Sequence, residues 1–106
     1  MSKIRESARG ETCSLRIPGV CNSDPATTVF CHLGKKGEAT NKRNGDEAMN
    51  GVYGCNRCHD AIDFRSRVFL SDSAPIQAEL HRARGRFIAR AKVETQRKLK
   101  ERRLMQ

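Results

Sequence analysis

Apolar residues along the chain gather into three short clusters and one longer stripe. Thr27 to Leu33, TTVFCHL, is β-branched and aromatic and follows the turn pair Asp24-Pro25, which predicts a strand ending near His32. Gly51 to Gly54, GVYG, is short enough to be the returning strand, and it leads directly into Cys55. Cys58 to Arg65 then predicts a short helix, because Ile62 and Phe64 supply apolar contacts while His59 and Asp63, four apart, share a face. Ser71-Asp72-Ser73 offers N-caps, Pro75 stands near a first helical position, and Ile76, Leu80, Phe87 and Ala91 follow near helical spacing. This stripe predicts a longer helix packed on the core.

The polar stretches set the boundaries. Residues 3 to 12 read as a short helix or a loop, and Arg16 to Asn22, RIPGVCN, reads as a turn around Pro18-Gly19. From Gly34 to Asn50 the chain is rich in Gly, Lys, Asn and acid, with Asn44-Gly45 inside it, and reads as a loop or a broad hairpin connection. Beyond Ala91 the apolar pattern thins. Lys92, Arg97, Lys98, Lys100, Arg102 and Arg103 there make either a solvated basic helix or a phosphate-binding tail, frayed when free. Hairpin, knuckle, helix and long helix together predict an α+β chain: a small domain over residues 1–75 and, over residues 76–106, a C-terminal basic helix packing on it.

Composition says what must hold such a domain together. With 106 residues, 5% aromatic, no Trp and 31% charged, hydrophobic burial alone is thin against conformational entropy, so a staple is expected. The opening residues MSKIRESARGETC carry charge and no apolar core of a signal peptide, which predicts a cytoplasmic protein. In a reducing compartment five clustered cysteines read as metal ligands rather than disulfides, and no stretch approaches the roughly 18 apolar residues of a membrane span. Lys and Arg number 21 against 12 Asp and Glu, a formal charge of +9, which points to nucleic acid. An anionic membrane surface fits less well, because the basic stretches lack a Trp or Phe face.

Cys55-x2-Cys58 puts two sulfurs on one knuckle, and Cys13-x7-Cys21 brings a second pair together across the Pro18-Gly19 turn. Four thiolates around one tetrahedral ion is the preference of structural zinc, whose binding in small zinc peptides is worth roughly 10 to 16 kcal/mol, the whole stability of an ordinary domain. Cys31 reads as a small buried strand residue, with Cys31 or His59 as the alternative ligands. Cys55-Asn-Arg-Cys58-His59 also spells a c-type haem attachment motif, which the expected cytoplasmic location and the remaining cysteines argue against; a thioredoxin-like pair lacks its βαβ context.

His32 ending the first strand, Asn50 preceding the second and His59 opening the helix after the knuckle resemble the HNH, or His-Me finger, nucleases. Through ARGETCSLRIPGVCN, the strand ending in His32 and GCNRCHDAID, the chain is similar to the YbcO-like family of small lambdoid phage and prophage nucleases over roughly residues 3 to 70. The resemblance implies a zinc-stapled ββα-metal fold and a metal-dependent endonuclease. In that arrangement His32 takes the proton of the attacking water, Asn50 orients the His32 loop, and His59 binds a divalent cation, magnesium or manganese or another transition ion, distinct from the zinc. Asp63, one turn on, is the expected second ligand, with Asp60 or Asp46 as substitutes. The sequence departs from many HNH sites at Cys31, which stands where they place an acidic ligand immediately before the base.

Lys35, Lys36, Lys42 and Arg43 in the connecting loop, with Arg97 and Lys98 in the tail, are the expected phosphate contacts. Duplex DNA, or the branched recombination and replication intermediates that a phage setting implies, is the expected substrate, with RNA as an alternative. The competing reading is a non-catalytic, zinc-ribbon-like DNA-binding or adaptor protein on the same cysteine scaffold.

Overall fold

The structure, a computed structural model, describes residues 3–33 and 46–105, so Lys35, Lys36, Lys42 and Arg43 lie outside the described residues. Strands β1 (Val29–His32) and β2 (Gly51–Gly54) form an antiparallel pair with Val29 opposite Gly54, Phe30 opposite Tyr53, Cys31 opposite Val52 and His32 opposite Gly51. Around them stand helices α1 (Lys3–Ser7), α2 (Asp46–Met49), α3 (Asn56–Ile62) and α4 (Ala74–Glu101), with 3-10 turns at Pro25–Thr27 and Arg67–Phe69.

Because strand side chains alternate between faces, the hairpin separates two clusters. Cys31 and Val52 pack with Leu15, Ile17, Ala61 and Ile62 and with the cysteines. Phe30 and Tyr53 pack on the other side with Ala8, Ala48 and Leu99. A two-stranded sheet is marginal alone and its edges need partners. The outer edge of β2 finds them at Tyr53, whose N–H donates to the Thr95 hydroxyl at 2.9 Å and whose carbonyl accepts from Ser14 N at 2.9 Å. The Tyr53 hydroxyl shares a 2.7 Å hydrogen bond with Ser7, which ties α1 to the same residue.

The two predicted strands and both helices C-terminal to them form, with shifted ends, and the polar connection contributes α2 just before β2. The core stripe of α4 differs from the periodicity in two ways. Ile76 is 52% exposed, because it lies in the first turn of α4, and at the other end the stripe runs on past Ala91 through the buried Thr95 and Leu99. Thr95 does not register as apolar, yet it is buried with its hydroxyl satisfied by β2. The basic tail is held as well: Arg16 pairs with Glu94 at 2.9 Å, Lys98 with Glu11 at 3.4 Å and with Glu94 at 3.6 Å, and Arg102 with Glu11 at 2.6 Å. At the start of α4 Ser73 makes no side-chain cap; Gln77 does the work, accepting from Ser71 N at 2.6 Å and donating to Phe69 O at 2.9 Å.

Gly51 is required by packing, since a Cβ there would overlap the Phe30 ring. Gly51→Ala should therefore cost about 1–3 kcal/mol in equilibrium urea unfolding with an unchanged slope. Wild-type stability for this variant would contradict the strand register.

Candidate functional site

The cysteine cluster begins with two local turns of the same design. Arg16 N donates to Cys13 Sγ at 3.4 Å, and Cys58 N donates to Cys55 Sγ at 3.4 Å. The first turn closes because Arg16 adopts a left-handed φ of +43°; the second because Cys55 is the N-cap of α3, placing its sulfur at the positive end of that helix. Ile17 O then accepts from Val20 N at 3.0 Å and Cys21 N at 2.9 Å, and Gly19 at φ +73° lets the chain turn back. This local winding makes the unusual x7 spacing workable.

The ligand atoms of Cys13, Cys21, Cys55 and Cys58 lie within 4.8 Å of one another, and the four residues can hold a metal ion. Sulfurs bound at about 2.3 Å around a tetrahedral ion stand roughly 3.8 Å apart; Cys21 and Cys55 Sγ are 3.9 Å apart. Cys55 and Cys58 are fully buried, and a hollow of about 190 Å³ lined by Thr12, Arg16, Ser23 and Pro25 reaches Cys13 and Cys21. The hydrogen bond from the Cys58 thiol draws the Cys13 thiol down to about 4, and the same contact, with burial, pushes Cys58 up. Cys31 stays outside the four. It is fully buried, its Sγ lies 3.8 Å from Val29 O and 3.9 Å from Gly54 O, and burial pushes its thiol far up.

His32 turns to the Phe30 side of the hairpin, edge-on to that ring with centroids 5.3 Å apart. Its Nε2 lies 3.1 Å from Oε2 of Glu47, a carboxylate only 5% exposed, on α2. Arg5 Nε approaches the same oxygen at 3.5 Å. With Glu47 ionised, its carboxylate would accept from Nε2–H and leave the His32 lone pair on Nδ1. Sequence reasoning did not single out Glu47. Its position four residues before Gly51, the strand partner of His32, was the available signal, and nothing local separates it from an ordinary exposed loop acid. Asn50 locks the end of β1 through its backbone, accepting from Leu33 N at 2.8 Å and donating to Glu47 O at 3.3 Å.

His59 and Asp63 do share a face of α3, with Nε2 and Oδ2 3.0 Å apart. Asp63 lies near enough to act electrostatically on Cys31 and on Arg84 of α4. His32 and the face of the sheet that α3 covers are on opposite sides of the strand pair, so Cys31 is the β1 residue turned toward α3. Of the tail cations, Lys98 is 16% exposed and bonded to Glu11, Glu94 and Thr12, while Arg97, 63% exposed, pairs with Glu101 at 3.1 Å.

Residues 2–102 match the family described as "Putative nuclease YbcO", and the chain belongs to that family. Over 66 residues it is 38% identical to "Putative nuclease YbcO" of Escherichia coli (strain K12), covering 62% of this chain and 68% of that one. It stands in the same relation to "Putative nuclease ybcO" of Enterobacteria phage 82, with 38% identity over 66 residues. A solved structure described as that of a putative bacteriophage protein from Escherichia coli str. K-12 substr. MG1655 superposes with a TM-score of 0.61 at 27% identity, over 95% of this chain and 100% of that one.

Purified protein should carry about one equivalent of metal per chain by elemental analysis, and Cys58→Ser should lose both the metal and the cooperative thermal transition. A metal-free preparation with an intact transition would contradict the four-sulfur site.

Proposed function

We propose that this chain is a metal-dependent nuclease that hydrolyses phosphodiester bonds in DNA, built as an HNH-type site on a structural zinc. The single observation that carries the reading is the His32–Glu47 pair, a half-buried imidazole fixed by a buried carboxylate at 3.1 Å. A carboxylate of this kind holds a base in one tautomer and stabilises the charge it acquires.

Zinc is the assignment for the cysteine cluster because it favours a closed tetrahedral set of thiolates. His59 and Asp63 supply the second cation site: two cis ligands about 2.1 Å from one ion stand about 3.0 Å apart, the separation these two atoms have. Magnesium or manganese held there would neutralise charge developing on the phosphate. His32 Nδ1 takes the proton from the attacking water, Glu47 steadies the imidazolium, and Asn50 keeps the β1 end in place through Leu33. The names of the relatives support nuclease activity, and the net charge of +9 supports a nucleic-acid substrate. Branched phage recombination or replication intermediates are the proposed preferred substrates within that class.

Two observations favour a second reading, a non-catalytic zinc-ribbon-like DNA-binding adaptor: His32 lies on the opposite side of the strand pair from α3, which carries His59, and Cys31 takes the place of an acidic ligand. Cys31, the β1 side chain turned toward α3, is fully buried with its thiol pushed far up, and it adds no ligand beside His59.

Activity separates the two. With magnesium or manganese and a panel of linear, flap and four-way DNA, His32→Ala should lower kcat about 10²–10⁴-fold while retaining DNA affinity. Glu47→Gln should lower it roughly 10–100-fold with metal content unchanged. Cleavage indifferent to His32→Ala would refute the proposed base, and DNA binding without cleavage under every metal would favour the adaptor.

A further inference from the structure

The residue after Asp63 is held in a conformation its type disfavours. α3 ends in a paired C-terminal turn: Phe64 N donates to Ala61 O at 3.2 Å and Arg65 N to Asp60 O at 2.8 Å, the pattern that normally seats glycine at its left-handed position. Here that position is Phe64, at φ +60° and 39% exposed. A non-glycine residue kept in this region by the surrounding turn is a reason to look for what its side chain does.

The Phe64 ring carries a guanidinium. Arg84 Cζ lies 4.7 Å above its centroid, and His81 stands edge-on to it with centroids 5.8 Å apart. Arg84 Nε donates to Ile62 O at 2.8 Å, a carbonyl left open by the end of α3. The ring below and the carbonyl at one edge fix the guanidinium plane. Arg5, Arg16, Arg65, Arg67, Arg97 and Arg102 each stand within 4.0 Å of a carboxylate. Among the described residues Arg84 has none, as is true of several other arginines; but where Arg90, also over an aromatic ring, spends a terminal nitrogen on Leu15 O at 2.6 Å, the terminal nitrogens of Arg84 have no hydrogen-bond partner among those residues. It is half-buried, and Asp63 acts on it only from further away. A desolvated, pre-oriented guanidinium with an open fork suits a bidentate oxyanion, and a phosphodiester presents one.

We propose that Arg84, aligned by Phe64 and the Ile62 carbonyl, clamps a backbone phosphate of the nucleic acid beside the His59–Asp63 pair. The inference rests on the proposed reading of that pair as the cation site: Asp63 is the residue immediately before Phe64, so cation and guanidinium share one phosphate. Phe64 is a positioning residue, and its left-handed strain is accepted because glycine there would leave the guanidinium unsupported.

The test uses the full-length, metal-loaded protein and a fluorescent 30-base-pair duplex without added magnesium or manganese, so that binding is read apart from cleavage. Arg84→Ala should weaken binding roughly tenfold at low salt and reduce the slope of log affinity against log salt by about 0.9, the loss of one duplex phosphate contact. Arg84→Lys keeps the charge but loses the Nε bond and the plane, and should recover only part of the affinity. Phe64→Gly should melt no lower than wild type, since the strain is gone, and still bind DNA more weakly. Wild-type affinity and salt slope in both Arg84→Ala and Phe64→Gly would overturn the clamp. If the wild-type protein cleaves nothing with any cation, the nuclease reading fails; a reduced slope in Arg84→Ala would still establish the phosphate contact.

Discussion

Four sulfurs from two distant turns meet within 4.8 Å, and most of the architecture is a consequence of that meeting. Cys55 and Cys58 come from the end of β2 and the first turn of α3, so closing the cluster fixes the angle at which α3 leaves the sheet. Cys13 and Cys21 come from a segment with little regular structure, and closure presses Leu15 and Ile17 against Cys31, Val52 and Ile62. Four thiols so close, three of them buried, cannot all ionise without a cation, because burial and mutual repulsion both oppose it. The ion that the cluster can hold is therefore the natural counterpart of the N-terminal turn, the hairpin and α3.

On the opposite face the restraint is of a different kind. Tyr53 is completely buried and uses its N–H, carbonyl and hydroxyl, engaging α4, the Ser14 turn and α1 in turn. The hairpin is thus clamped between a metal-ligand cluster and a helix-backed polar network. His32 projects from one side of it and His59 stands on α3 at the other, each beside a carboxylate. A rigid two-stranded sheet separates functional groups well, because neither face can shift without disturbing the other.

The cysteine cluster and the elements that carry His32, His59 and Asp63 were legible because short motifs and spacing encode them. Cys55-x2-Cys58, the alternation of TTVFCHL and the i, i+4 relation of His59 and Asp63 are local signals, and each element they predict is present. What stayed hidden is long-range. Glu47 looks like any loop acid until the hairpin brings it under His32, and Thr95 breaks the apolar stripe of α4 yet is buried because β2 offers a partner. Lys98 reads as a free tail cation, but Glu11, far away in sequence, joins Glu94 one helical turn before it in drawing it inward. Phe64 fills out an apolar pattern in sequence, whereas its left-handed backbone and the Arg84 above it exist only in the folded chain.

The claim on which the rest depends is that one ion joins Cys13, Cys21, Cys55 and Cys58, with Cys31 and His59 excluded. X-ray absorption at the edge of the bound metal tests it directly. A zinc edge and a shell of sulfur at about 2.3 Å, unchanged in Cys31→Ser and in His59→Ala, is the expected result. A mixed shell with nitrogen at about 2.0–2.1 Å that disappears in His59→Ala, or a sulfur shell that shrinks in Cys31→Ser, would contradict it.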